Sequence, residues 1–141
     1  MKVKRSTLIA VIPAVLLLAG VSEDVFAQQL PTTANVSPVV PTGKKRLVGF
    51  YYSLNPDCSA VGEIDARVIK QPQNGTVEVT PGTGFSGFAE NNQRYACNMK
   101  ASPGVRVTYM SNEGFVGSDA FEVEFLAGMT DAVWKYNVTV K

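Results

Sequence analysis

The chain contains no histidine. That removes Ser-His-Asp and Cys-His catalysis, imidazole ligation of zinc or copper, and the commonest general base. Cysteine is almost as scarce, with only Cys58 and Cys97, and no Cys-x-x-Cys spacing to lower a thiol pKa. A redox pair is therefore disfavoured. An excess of charge of either sign is also missing. Of 13 Lys and Arg, three (Lys2, Lys4, Arg5) precede residue 28, and of 12 Asp and Glu, two do (Glu23, Asp24), so ten of each sign remain beyond it. A neutral domain lacks the clustered positive charge that phosphate contacts need, and neither nucleic acid nor an anionic membrane surface is expected as a partner. The one basic run, Lys44-Lys45-Arg46, reads as a solvated segment. No apolar run has the helical period of 3.6 over helical length, and none approaches the roughly 20 residues that cross a bilayer.

The N-terminus does carry a signal. Lys2, Lys4 and Arg5 precede an apolar stretch from Leu8 to Gly20, interrupted by Pro13, and Val25-Phe26-Ala27 follows with small residues suited to a signal peptidase. This pattern predicts a secretory signal peptide over 1–27, helical in its apolar part and cleaved after Ala27. No cysteine follows it closely enough to take a lipid anchor, so no lipid tether is expected, and removal of the short apolar stretch is expected to leave no membrane span. In an exported chain an even number of cysteines is expected to pair, and Cys58 and Cys97 are read as one disulfide.

The stretch 28–46 is rich in Pro, Thr and Val, with Pro31, Pro38 and Pro41 spaced against any helix or central strand, and is read as a flexible segment. From 47 to 141 the pattern is period two. Val77 and Val79 alternate with polar residues, as do Val105, Val107 and Tyr109; Phe121, Val123 and Phe125; and Trp134, Tyr136, Val138 and Val140. The last two sets predict an antiparallel hairpin turning near Gly128 and Asp131. Strands are also expected at 47–53, 63–70 and 92–98. Asn74-Gly75, a dipeptide that tolerates positive φ, predicts a hairpin between 63–70 and 76–80. About seven short strands in a chain of this length predict a single all-β sandwich domain over 47–141.

Tyr109 to Phe121 carries Gly114-Phe115, Gly117, Asp119 and Phe121, and resembles the Y-x-P-x-x-G-F-x-G-x-D-x-F signature of bacterial Ig-like and cadherin-like domains. Pro72 to Val77 is similar to their P-x-x-G-T-V turn. The resemblance implies an Ig-like antiparallel sandwich from a bacterium, periplasmic or secreted. It also implies a corner at Gly117 and Asp119, where Gly permits an unusual φ and Asp accepts backbone N–H groups. Ser111 where Pro is common, the inserted segment 82–91 and the cysteine pair depart from the usual pattern of those domains.

Few residues invite a chemical reading. Gly82-Thr83-Gly84-Phe85-Ser86-Gly87 matches Gly-x-Gly-x-x-Gly, but no helix opens after it and no acidic residue stands about 20 positions on, so no dinucleotide is expected. Asp57, Glu63 and Asp65 lie close in sequence without the loop spacing of a calcium site or the context of a glycosidase pair. No catalytic residue, cofactor or metal is expected. Asn35, Asn74 and Asn137 stand in glycosylation sequons, which matter only in a eukaryotic secretory pathway. The candidate contact residues are aromatic: Phe85 and Phe88 in the glycine-rich loop, and Tyr51 and Tyr52, of which one must face outward in an extended strand. The expectation is a non-enzymatic exported domain that binds a protein or an envelope polymer. The alternative is a self-associating assembly unit of the cell envelope that pairs sheet edges or donates its N-terminal arm.

Overall fold

The computed structural model describes residues 31–128 and 130–141. The expected signal peptide and its cleavage site lie outside the described residues.

The described residues form eight strands: β1 (Thr32–Val36), β2 (Val39–Val40), β3 (Arg46–Tyr51), β4 (Ile64–Lys70), β5 (Gly75–Gly84), β6 (Ser102–Ser111), β7 (Gly117–Ala127) and β8 (Thr130–Val140), with apolar-polar alternation clearest in β6, β7 and β8. One sheet has the order β1-β8-β7-β4, with β2 continuing beside β8; the other has the order β3-β6-β5. The β7–β8 hairpin expected from the sequence runs in unbroken register from Gly117↔Val140 to Ala127↔Thr130. Its turn uses Gly128 at φ 60°, a conformation that costs a residue without Cβ little. The order β3-β6-β5 opposite β4-β7-β8 is that of an immunoglobulin-like sandwich, B-E-D facing C-F-G.

Three expectations are corrected. First, β4 and β5 do not form a hairpin. β4 pairs with β7 and β5 with β6, so Gln71 to Asn74 cross from one sheet to the other. Ile64 and Ala66 thereby face Val77 and Val79 across the core instead of lying beside them. Asn-Gly permits a tight hairpin but does not compel one, and neither residue has positive φ here. Gly75 is needed for space: a Cβ on it would stand 2.7 Å from the Tyr109 ring and 2.6 Å from the Met110 carbonyl oxygen.

Second, the segment 28–46, where described, is no loose tail. β1 and β2 lie parallel to β8, from Thr32↔Ala132 to Val40↔Val140, and Val40 is buried in the core. Proline had excluded only a central strand, and Pro31 and Pro38 flank β1 at a sheet edge, where missing donors are tolerated. Third, 92–98 is not extended. The Asn92 side chain accepts the Arg94 N–H, successive turns follow, and Tyr95–Met99 forms a short 3₁₀ helix.

The core is an aromatic column. Tyr109, Phe121 and Tyr136 stack with centroid separations of 5.7 and 4.4 Å and nearly parallel planes. Tyr51 packs against Phe125 and Trp134 at 4.9 and 5.0 Å, and its hydroxyl bonds that of Tyr136. The Tyr136 hydroxyl occupies the space left by Gly49, where a Cβ would stand only 2.1 Å from it. Burial pushes Tyr136 up to about 12 and holds Tyr51 well above the ordinary tyrosine range, with the hydrogen bond to Tyr136 adding to the latter.

Candidate functional site

Strands β3, β5 and β7 end, and β4, β6 and β8 begin, at the same end of the sandwich. The connections there are 52–63, 85–101 and the turn at Gly128. The disulfide between Cys58 and Cys97 ties the two long connections together, Cα to Cα 5.4 Å. It is thus not the inter-sheet bridge of antibody domains but a clamp between loops.

Each loop is pinned from within. In 52–63, Cys58 adopts φ 71°, and its N–H bonds the Asn55 carbonyl. The Asp57 carboxylate accepts both the hydroxyl (2.6 Å) and the N–H (3.0 Å) of Ser59, which hold its carboxyl below the usual range. In 85–101, the Asn98 amide oxygen accepts the Ser86 hydroxyl and the Phe88 N–H, both at 2.9 Å, and its nitrogen donates to the Phe88 carbonyl at 2.8 Å. Arg94 donates from the second loop to the Leu54 carbonyl of the first. The Tyr52 hydroxyl accepts the Gly87 N–H at 2.7 Å, and its ring meets Phe88 edge-on at 5.1 Å. Leu54 and Cys97 are buried beneath these contacts.

Large apolar side chains stand on this braced framework. Phe85 is 67% exposed and Met99 84%, with Tyr95 and Val61 also exposed. Four of the large exposed apolar residues thus lie on two cross-linked loops at one end of the sandwich, the others being spread over the strands and remaining connections.

The sequence-predicted residues are therefore divided. Phe85 is free to touch a partner. Phe88 and Tyr52 are half-buried and hold the loop's shape. The Tyr51 side chain is not an outward contact, because it packs in the core at 7% exposure. Asn74, Gly75, Gly117 and Asp119 lie toward the opposite end. Gly117 opens β7 at φ 141°, and buried Asp119 accepts the N–H groups of Gln73 (3.0 Å), Asn74 (2.9 Å) and Ala120 (2.9 Å) and the Tyr109 hydroxyl (2.9 Å). Burial alone would raise its carboxyl, but these four donors outweigh it and hold it below the usual range. The expected strand at 92–98 includes Tyr95 but gives it no contact role, and Met99, just beyond that strand, carries no signal of its own in the sequence. Arg94 and Asn98 left no signal beyond their position beside Cys97.

A second surface opens along the side of the sandwich. A groove of about 450 Å³ lies between β3 and β8, with Trp134, Phe125 and Ala132 on its floor. Among the described residues, no three Cys, Asp or Glu side chains converge in a way that would hold a metal, and no helix is long and apolar enough to cross a membrane.

No family model matches the chain, and no curated protein matches it. Among solved structures, the solution structure of amebosin is similar to it at a TM-score of 0.40 and 10% identity, over 80% of this chain and 100% of that one.

Proposed function

We propose that this chain is an exported, non-enzymatic interaction domain of a bacterial envelope, periplasmic or secreted, which binds a protein or envelope polymer through its disulfide-clamped end. One observation carries the reading: Phe85 and Met99 are held outward on loops that a disulfide, an asparagine clamp and an Arg94 bridge make rigid. Loops fixed before contact lose little conformational freedom on binding, so their apolar area is converted efficiently into affinity. The disulfide supports an oxidising destination and agrees with the charged-then-apolar N-terminus. The sandwich topology and the Asp119 corner support kinship with the bacterial Ig-like and cadherin-like domains.

The test is affinity capture from envelope extract on the tagged protein, with Phe85→Ser and Met99→Ser as comparison baits. A partner retained by the parent and lost by both variants supports the reading. Equal retention by all three baits would remove this end from the interface.

A further inference from the structure

The side groove differs in kind from the loop surface. Residues Val48 to Tyr52 of β3 and the start of its following loop line it consecutively, whereas Thr130, Ala132, Trp134 and Tyr136 of β8 line it alternately. Alternate residues share a strand's face and consecutive residues share its edge. The groove is therefore bounded by the edge of β3 and floored by the inner face of β8. It exists because the first sheet has four strand positions across and the second has three, which leaves part of β8 without a strand above it.

Among the described residues β3 pairs only with β6, and no strand lies along its other edge. The remaining edges are guarded in ways that discourage pairing. β4 carries Asp65, Arg67 and Lys70; β5 carries Glu78 and Pro81; β1 lies between Pro31 and Pro38. From Val48 to Tyr52 the chain has neither a charge nor a proline; the register break between Leu47 and Gly49 stands at the start of this stretch and leaves Gly49 to Tyr51 regularly paired, and no charged residue lines the groove. A charged side chain entering this site would lose water without gaining a counter-charge.

We infer that the groove receives an extended, uncharged strand from a partner polypeptide, which pairs with the free edge of β3 and lays alternate apolar side chains on Trp134 and Phe125. Main-chain hydrogen bonds supply the attachment, and the aromatic floor selects apolar residues at every second position. The result is a second sheet of four strands that covers β8.

Trp134 is the chain's single tryptophan, so its emission reports on the groove. The full chain, as processed by its producing cell, is titrated with an end-blocked peptide of alternating valine and threonine, and with the same peptide N-methylated at alternate backbone nitrogens. The expected result is a saturable blue shift with the first peptide and none with the second. Thr130→Arg, a change at an exposed position, is expected to weaken binding by about tenfold or more without moving the unfolding midpoint. Phe85→Ser is expected to bind the peptide normally, which separates this site from the loop surface. The inference is overturned by an unresponsive Trp134, by equal shifts with both peptides, or by a shift that appears without peptide as concentration and mass rise together, since that would make a second copy the occupant.

Discussion

The Tyr109 hydroxyl on β6 donates to the Asp119 carboxylate on β7 at 2.9 Å, a buried bond from one sheet to the other. The same carboxylate receives Gln73 and Asn74, the residues that carry the chain between sheets. One side chain therefore joins both layers and the crossing that connects them. Its loss is felt in all three places.

Asp119→Asn exchanges one acceptor oxygen for a donor facing N–H or O–H groups, and is expected to cost about 3 kcal/mol, since bonds to a charged acceptor are worth roughly 1.5–3 kcal/mol each. Chemical denaturation of parent and variant checks this. The pH dependence has a defined sign. The carboxyl is held below its unfolded value, so its contribution is complete above about pH 4–5 and is lost as pH falls through the folded value. The parent should lose stability on acidification in that window, and the variant should lose less of it.

Tyr51 and Tyr136 predict the opposite limb. Their folded-state values lie above the unfolded one, so their contribution is intact below about pH 10 and is lost as pH rises through the folded values, about 12 for Tyr136. In an ultraviolet titration these two phenols should ionise only together with unfolding, detected by coincident loss of near-ultraviolet circular dichroism. Ionisation of either near pH 10 with the fold intact would refute the buried hydroxyl pair.

Removing the disulfide by Cys58→Ser and Cys97→Ser together is expected to lower stability by up to about 4 kcal/mol in the chain-entropy model, given a separation of 39 residues. Both partners lie in loops, so the sheets should keep their register. Hydrogen exchange is expected to quicken in 52–63 and 85–101 and to change little in β7 and β8.

Gly49→Ala is expected to destabilise by about 1–3 kcal/mol, because its Cβ would collide with the Tyr136 hydroxyl. Gly87→Ala, whose Cβ would approach nothing closer than 3.9 Å, is the matched control and should unfold near the parent midpoint.

The strands with strict alternation were legible in the sequence because burial of one face writes itself into every second residue: the alternating sets at 105–109, 121–125 and 134–140 lie within β6, β7 and β8. Strand partnership was not legible between β4 and β5. Asn74-Gly75 is compatible with either a hairpin or a crossing, and the contacts that hold the crossing come from far away in sequence, as with the Asp119 carboxylate 45 residues on. The arm carrying β1 and β2 was hidden because proline content marks exclusion from a sheet's interior and is silent about its edge. Phe85 was found as a candidate contact from loop composition. Met99 and Tyr95 were missed because a two-turn segment stapled by a cysteine has no periodicity to read, and Trp134 because an alternating residue looks like core whether or not a strand covers it.

The parallel lie of β1 and β2 against β8 has a mechanical meaning. Thr32 stands beside Ala132 and Val40 beside Val140, so residue 31 emerges at the loop end and residue 141 at the other. Tension between those two points runs along the ladder and loads its hydrogen bonds side by side in shear instead of peeling them one at a time. A force applied between those points would meet the ladder as a whole, and survival under it would depend on the rate at which the ladder slips, a kinetic quantity separate from equilibrium stability.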